Sequence, residues 1–215
     1  MKRSILYLIL LGLVLINPVF GQETDYAKLG IDISDGNIPV GLSAGEKAPG
    51  FTGYDQAGTH TELKNLIALG PVVLFFYRGK WSAECSKYLN NLQDSVNIIS
   101  DLGATLVAIT PESIENVEQT VKFHNLTFRV IYDCQEKIMQ DYLLMYNVTK
   151  AYQERIKTTL SVDIAENNGR QTAHLPVTAT YIISSGGMIT AAFTDPDFSK
   201  RASVKWIIKN LASAL

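Results

Sequence analysis

Two short, unbroken apolar runs, Pro71-Val-Val-Leu-Phe-Phe-Tyr77 and Ala104-Thr-Leu-Val-Ala-Ile-Thr110, flank a stretch with helical periodicity. Runs this short and this rich in Val, Ile and aromatics read as strands buried on both faces. Between them Cys85, Leu89, Leu92, Val96 and Ile99 recur at i, i+4, i+7, i+11 and i+14, one apolar stripe of a helix that Gly103 ends. A helix joining two buried strands makes a right-handed crossover between parallel neighbours. That pattern demands a covered sheet, so the chain is expected to be an α/β protein.

The remaining elements extend the same sheet. Pro111-Glu-Ser-Ile opens a helix with Pro early and an acid in its first turn, and Ile114, Val117 and Val121 give its inner face. Phe128–Tyr132 reads as a strand and Gln135–Tyr146 as a helix, whereas 147–174 shows no clear period. Thr178–Ser184 and Met188–Phe193, separated by Ser185-Gly-Gly, form a hairpin signature. Val204, Ile207, Ile208 and Leu211 mark a closing helix. The expected architecture is one central mixed sheet with helices on both faces, spanning 43–215, after a loosely held lead-in over 22–42.

The start of the chain is different. Lys2 and Arg3 precede the apolar run Ser4–Ile16, which Asn17-Pro18 interrupts before Val19 and Gly21. A basic start, an apolar core and modest residues at −3 and −1 predict a secretory signal over 1–21 with cleavage before Gln22. A membrane-spanning helix needs about 20 apolar residues, so no stable membrane anchor is expected. The mature protein is expected to be exported, periplasmic or secreted, where thiols can be oxidised.

Composition excludes several functions. With 19 Lys+Arg against 21 Asp+Glu the chain lacks the basic surface that nucleic acid requires. Two cysteines are too few for a disulfide scaffold or a four-cysteine zinc site. His60, His124 and His174 have no paired spacing, so neither a metal nor a cofactor is expected. His124 suits the end of the 113–123 helix as a cation, and His174 lies in a loop before Leu175-Pro176.

In such folds reactive groups gather beyond the carboxyl ends of the strands, here Tyr77-Arg-Gly-Lys-Trp-Ser-Ala-Glu-Cys85. A cysteine in a helix's first turn faces unpaired N–H groups and the positive end of the dipole, both favouring its thiolate. Arg78, Lys80 and Lys87 add positive charge, Glu84 opposes them, and Ser82 is placed to cap the helix and turn its hydroxyl toward the sulfur. Cys85 also lies on the apolar stripe, where an inert core cysteine is the plain alternative.

At these residues the chain resembles a known family. Gly45–Phe51, Gly70–Cys85, Leu102–Pro111, His124–Asp133, Leu175–Ile183 and Ala192–Arg201 are similar, in order, to the peroxiredoxin-like branch of the alkyl hydroperoxide reductase/thiol-specific antioxidant (redoxin) family. The resemblance implies a thioredoxin-like fold and thiol redox chemistry at Cys85. Three departures stand out. Where this branch often carries Trp-Cys-x-x-Cys, the chain has Trp81-Ser-Ala-Glu-Cys85; Arg78 stands where peroxidatic members have proline; and Thr178 matches the position of their later-strand arginine. Ser82 and Cys85 satisfy the second half of the peroxidatic motif, and Arg78 is a substitute source of positive charge.

The resemblance and the residues together predict a one-cysteine enzyme reducing a hydroperoxide, or a small disulfide, at Cys85 with Ser82 and Arg78, reset by an external thiol reductant. The rival is a catalytically degenerate thioredoxin-fold domain that binds or scaffolds. Cys134 is a small core or helix-start residue, a resolving thiol after local unfolding, or half of a structural bridge. In the topology the resemblance implies, the strand before Cys134 lies two places from the Pro71–Tyr77 strand, roughly 10 Å away, too far for a preformed disulfide. A homodimer stands as an open expectation.

Overall fold

The structure, a computed structural model, describes residues 25–212. The expected signal segment, 1–21, lies outside the described residues. In chain order the elements are α1 (Tyr26–Leu29), β1 (Thr52–Tyr54), β2 (His60–Glu62), α2 (Leu63–Ile67), β3 (Val72–Phe76), α3 (Ala83–Gln93), α4 (Val96–Asp101), β4 (Thr105–Thr110) and α5 (Ile114–His124). Then come β5 (Arg129–Tyr132), α6 (Lys137–Asp141), β6 (Met145–Asn147), α7 (Lys150–Leu160), α8 (Ile164–Asn167), β7 (His174–Pro176), β8 (Thr178–Ile183), β9 (Ile189–Asp195) and α9 (Val204–Leu211). Among the described residues no helix is long and apolar enough to cross a membrane.

The central sheet has the order β5-β4-β3-β8-β9. Strands β3, β4 and β5 run parallel, and β8 and β9 complete the sheet antiparallel. Every residue of β3 is buried, and the pleat sends alternate side chains to two cores. Val72, Leu74 and Phe76 enter one, with Leu63 and Leu66 of α2, Ile138 of α6 and Tyr152 and Ile156 of α7. Val73, Phe75 and Tyr77 enter the other, with Cys85, Leu89 and Leu92 of α3, Val117 of α5 and Ile207 and Leu211 of α9. The mixed sheet with helices on both faces is as the apolar runs require.

Three local readings need correction. The single helix through Cys85 and Ile99 is two, because Ser95 turns its hydroxyl back to the Asn91 carbonyl (2.9 Å) and the chain re-enters as α4. The helix expected over 135–146 shrinks to α6, bounded by Glu136 (φ 60°) and Leu143 (φ 55°) in the left-handed region, and Met145–Asn147 pairs with β7 instead. The unreadable 147–174 contains α7, capped by Thr149 accepting from the Tyr152 N–H (3.4 Å). Only Tyr152 and Ile156 of α7 are buried, too few to show a period.

The described part of the lead-in touches the domain at Ile31 and Leu42. Ile31 bridges to Val148 and enters the core, and the Leu42 N–H donates to the Tyr181 hydroxyl (3.1 Å).

Candidate active site

The carboxyl end of β3 delivers Tyr77 and Arg78 into the turn that starts α3. Gly79 makes this turn at φ 146°, a conformation L side chains avoid, and an added Cβ would stand 2.5 Å from the Trp81 indole nitrogen. Ser82 is the residue at the helix N-cap, but its side chain makes no capping bond. Its hydroxyl instead accepts from Arg78 Nη2 at 3.0 Å. Cys85 sits in the first turn and is 0% exposed.

A residue the sequence reasoning did not single out reaches the sulfur. Arg201, from the segment between β9 and α9, points Nη2 at Cys85 Sγ, 3.1 Å away. It also donates from Nη1 to the Phe76 carbonyl (3.3 Å) and from Nε to the Phe198 carbonyl (3.0 Å), and its guanidinium lies 5.1 Å from the Tyr88 ring centre. Thr178, matched to the family's arginine, instead donates to the Asp195 carbonyl (3.4 Å). The missing cation therefore arrives from another element. Its signal was present, since Arg201 ends the motif beginning at Ala192, but spacing cannot show that this loop folds back over α3.

Arg78 is buried, and its charge is spread over several partners. Nη1 donates to the Tyr152 hydroxyl at 2.9 Å, and the guanidinium stacks 3.5 Å from the centre of the Phe198 ring and 5.2 Å from that of Trp81. Its hydrogen bonds run to Tyr152 and Ser82, so it acts on the thiol from a distance, whereas Arg201 touches it. Burial opposes ionisation of Cys85, but Arg201 first, then Arg78 and the Ser82 hydroxyl, outweigh it and hold the thiol below its ordinary value. Burial likewise works against charge on Arg78, yet Tyr146, Cys85 and Tyr152 hold its guanidinium above its usual range.

The other charges named from sequence contribute less. Lys80 turns its ammonium to Gln119 of α5 (2.7 Å), and Lys87 is exposed. Glu84 reaches Ser82 only at 3.5 Å. His174 pairs with Glu136 (2.8 Å). His124, in the last turn of α5 as expected, bonds Asn90 (2.7 Å), and burial, with Lys80 nearby, lowers its pKa. His60 contacts Glu62 at 3.7 Å. Among the described residues no group of three His, Cys, Asp or Glu is placed to hold a metal.

Cys134 and Cys85 are both free thiols. Cys134 is exposed rather than in the core, which corrects the core-residue alternative. It lines a cleft of about 420 Å³ with Phe51, Tyr54, His60, Tyr132 and Ile138. Phe51 and Ile138 belong to the core on the opposite face of the sheet from Cys85, and β4 separates β5 from β3 as expected. The structure does not bring the two sulfurs together.

A thiol contacted by Arg201, with Arg78 close behind, at a strand-to-helix junction of this sheet defines a thioredoxin-fold thiol oxidoreductase. The sequence profile of the AhpC/TSA family matches residues 44–192. The chain is similar to a peroxiredoxin homologue of Mycobacterium tuberculosis, 26% identical over 145 residues, 62% of this chain and 90% of that protein. It is also similar to the peroxiredoxin Bcp of Bacillus subtilis, 25% identical over 127 residues, 57% of this chain and 79% of that protein. Its fold matches the crystal structure of peroxidoxin BcpB from Mycobacterium tuberculosis with TM-score 0.64 at 16% identity, covering 81% of this chain and 99% of that one. The chain belongs to the AhpC/TSA family and is a peroxiredoxin-like thiol peroxidase.

Proposed function

We propose that the protein is an exported, one-cysteine peroxidase that reduces hydroperoxides at Cys85 and is reset by an external thiol. The observation that carries this is the Arg201 guanidinium 3.1 Å from Cys85 Sγ, a cation at contact distance from a thiol with no other thiol beside it.

The Cys85 thiolate attacks the terminal oxygen of R–O–O–H. The S–O bond forms as the O–O bond breaks, the thiolate sulfur is oxidised to sulfenic acid, and RO⁻ leaves and takes a proton to become ROH. Arg201 donates toward the developing charge, and Ser82, whose hydroxyl is oriented by Arg78, stands beside the reacting atoms. An external thiol then attacks the sulfenic acid. An S–S bond forms, water leaves, and a second thiol reduces the mixed disulfide. Placement of Cys134 across the sheet favours that route over an internal resolving step. Export rests on Lys2, Arg3 and the apolar run ending at Asn17-Pro18.

The test is hydroperoxide consumption with a supplied thiol. Cys85→Ser is expected to abolish it and Cys134→Ser to leave it intact. Unchanged consumption by the Cys85→Ser protein, or alkylation of Cys85 only after unfolding, defeats the proposal. Mass determination of the protein recovered from its native compartment checks removal of residues 1–21.

A further inference from the structure

One buried acid beside this site has no part in the sulfur chemistry. Glu112 follows β4 and is 1% exposed, a costly place for a carboxyl unless its oxygens are used. Oε1 accepts from the Lys80 N–H at 3.1 Å, and Oε2 accepts from the Thr120 hydroxyl at 3.2 Å. Lys80 is the middle of the turn between Arg78 and Ser82, and its backbone is held on the other side as well. Its carbonyl accepts from the Ser86 hydroxyl at 2.8 Å. The Ser82 N–H closes the turn on the Gly79 carbonyl at 3.2 Å. A Cβ at Gly79 would lie 3.1 Å from Glu112 Oε1, so the glycine leaves the room that lets the carboxyl approach.

Resting on the peroxidase reading, we propose that Glu112 is a positioning residue for Cys85: by clamping the Lys80 N–H it fixes the turn that carries Arg78 and Ser82 to the sulfur. Arg78 and Ser82 bond each other at 3.0 Å, so a turn that slackens at Lys80 displaces both together. The groups facing Glu112 are Tyr77 just beyond β3, the Lys80 backbone, Thr120 of α5 and Asn167 of α8. The Lys80 ammonium is turned away to Gln119. Tyr77 is buried, and burial first, then the nearby Glu112 and Cys85, push its hydroxyl well above the usual range. Burial raises the Glu112 pKa against the Lys80 N–H and the neighbouring side chains, whose hydrogen bonds lower it.

The experiment measures the pH profile of Cys85 alkylation and hydroperoxide turnover in the full-length Cys134→Ser protein. Glu112→Ala is expected to move the labelling midpoint up by about one pH unit and to slow turnover about tenfold, the rate equivalent of that shift. Glu112→Gln keeps an oxygen for the Lys80 N–H and is expected to restore both. Ser86→Ala, which loosens the other side of the same residue, is expected to shift the midpoint in the same direction by less. A folded Glu112→Ala protein with an unshifted midpoint overturns the assignment, and so does Glu112→Gln as impaired as Glu112→Ala. If Glu112→Ala does not fold, an unshifted midpoint in Ser86→Ala overturns it. Should the parent protein's Cys85 not label while folded, the peroxidase reading fails first and this assignment with it.

Discussion

Replacing Arg201 by methionine keeps most of the aliphatic stem and removes the charge in contact with Cys85. At the observed 3.1 Å separation, the Coulomb expression with an effective dielectric of about 20 gives a gross attraction of ~5 kcal/mol. Arg201 is only partly buried, so solvent screens part of this. Opposite charges at such range shift thiol-type groups by about 1–3 pH units, which is ~1.4–4 kcal/mol. Arg78 remains behind, which places the expectation in the lower half of that range. In a Cys134→Ser background, the pH midpoint of iodoacetamide alkylation at Cys85 is expected to rise by about 1–2 units. At neutral pH kcat/KM for hydrogen peroxide falls by about 10- to 100-fold, as the thiolate fraction and the donor are lost together. Arg201→Lys is expected to lie between, since a single ammonium cannot hold the sulfur, Phe76 and Phe198 at once. A folded Arg201→Met protein whose midpoint and turnover both match the parent refutes the role given to this contact.

The same geometry sets further outcomes. Arg78→Ala strands the Tyr152 hydroxyl and removes the stack on Phe198; a loss of about 2–4 kcal/mol in urea unfolding is expected, with no recovery in Arg78→Lys. Gly79→Ala forces a side chain into φ 146° and against Trp81, so a lowered Tm is expected together with slower Cys85 alkylation. The raised pKa of Glu112 means that the folded state holds a proton the unfolded chain has released. Its contribution is therefore greatest below the unfolded carboxyl value and is lost as pH rises through the folded one. Stability against pH, followed by thermal unfolding, should fall less steeply over that window in Glu112→Gln, and an identical slope would show that Glu112 does not titrate there. The depressed Cys85 pKa has the opposite sense. Its stabilisation is full above the unfolded thiol value and disappears as pH falls through the folded one, so the deficit of Cys85→Ser should shrink toward acid pH.

The central sheet was legible because its strands announce themselves. A run such as Val72–Phe76 can satisfy all five apolar side chains only between two covered faces, and helical stripes supplied the covers. Cys85 was legible for the same local reason, standing a few residues beyond the end of such a strand. The short elements were not. β1, β6 and β7 have three residues each, less than a period of alternation can display, and α7 buries only Tyr152 and Ile156. The burial of Ile31 against Val148 depends on a chain separation that no local pattern encodes.

The amino-acid order alone determined the sheet, its crossovers and which thiol starts a helix, since these depend on side-chain period and on the neighbours along the chain. Only the tertiary structure decided which charges surround that thiol. Arg201 reaches Cys85 because the segment after β9 returns over α3, and Lys80, far closer in sequence, is drawn away to Gln119. Electrostatic attraction depends on distance through space, and the folding of distant segments onto one another sets that distance.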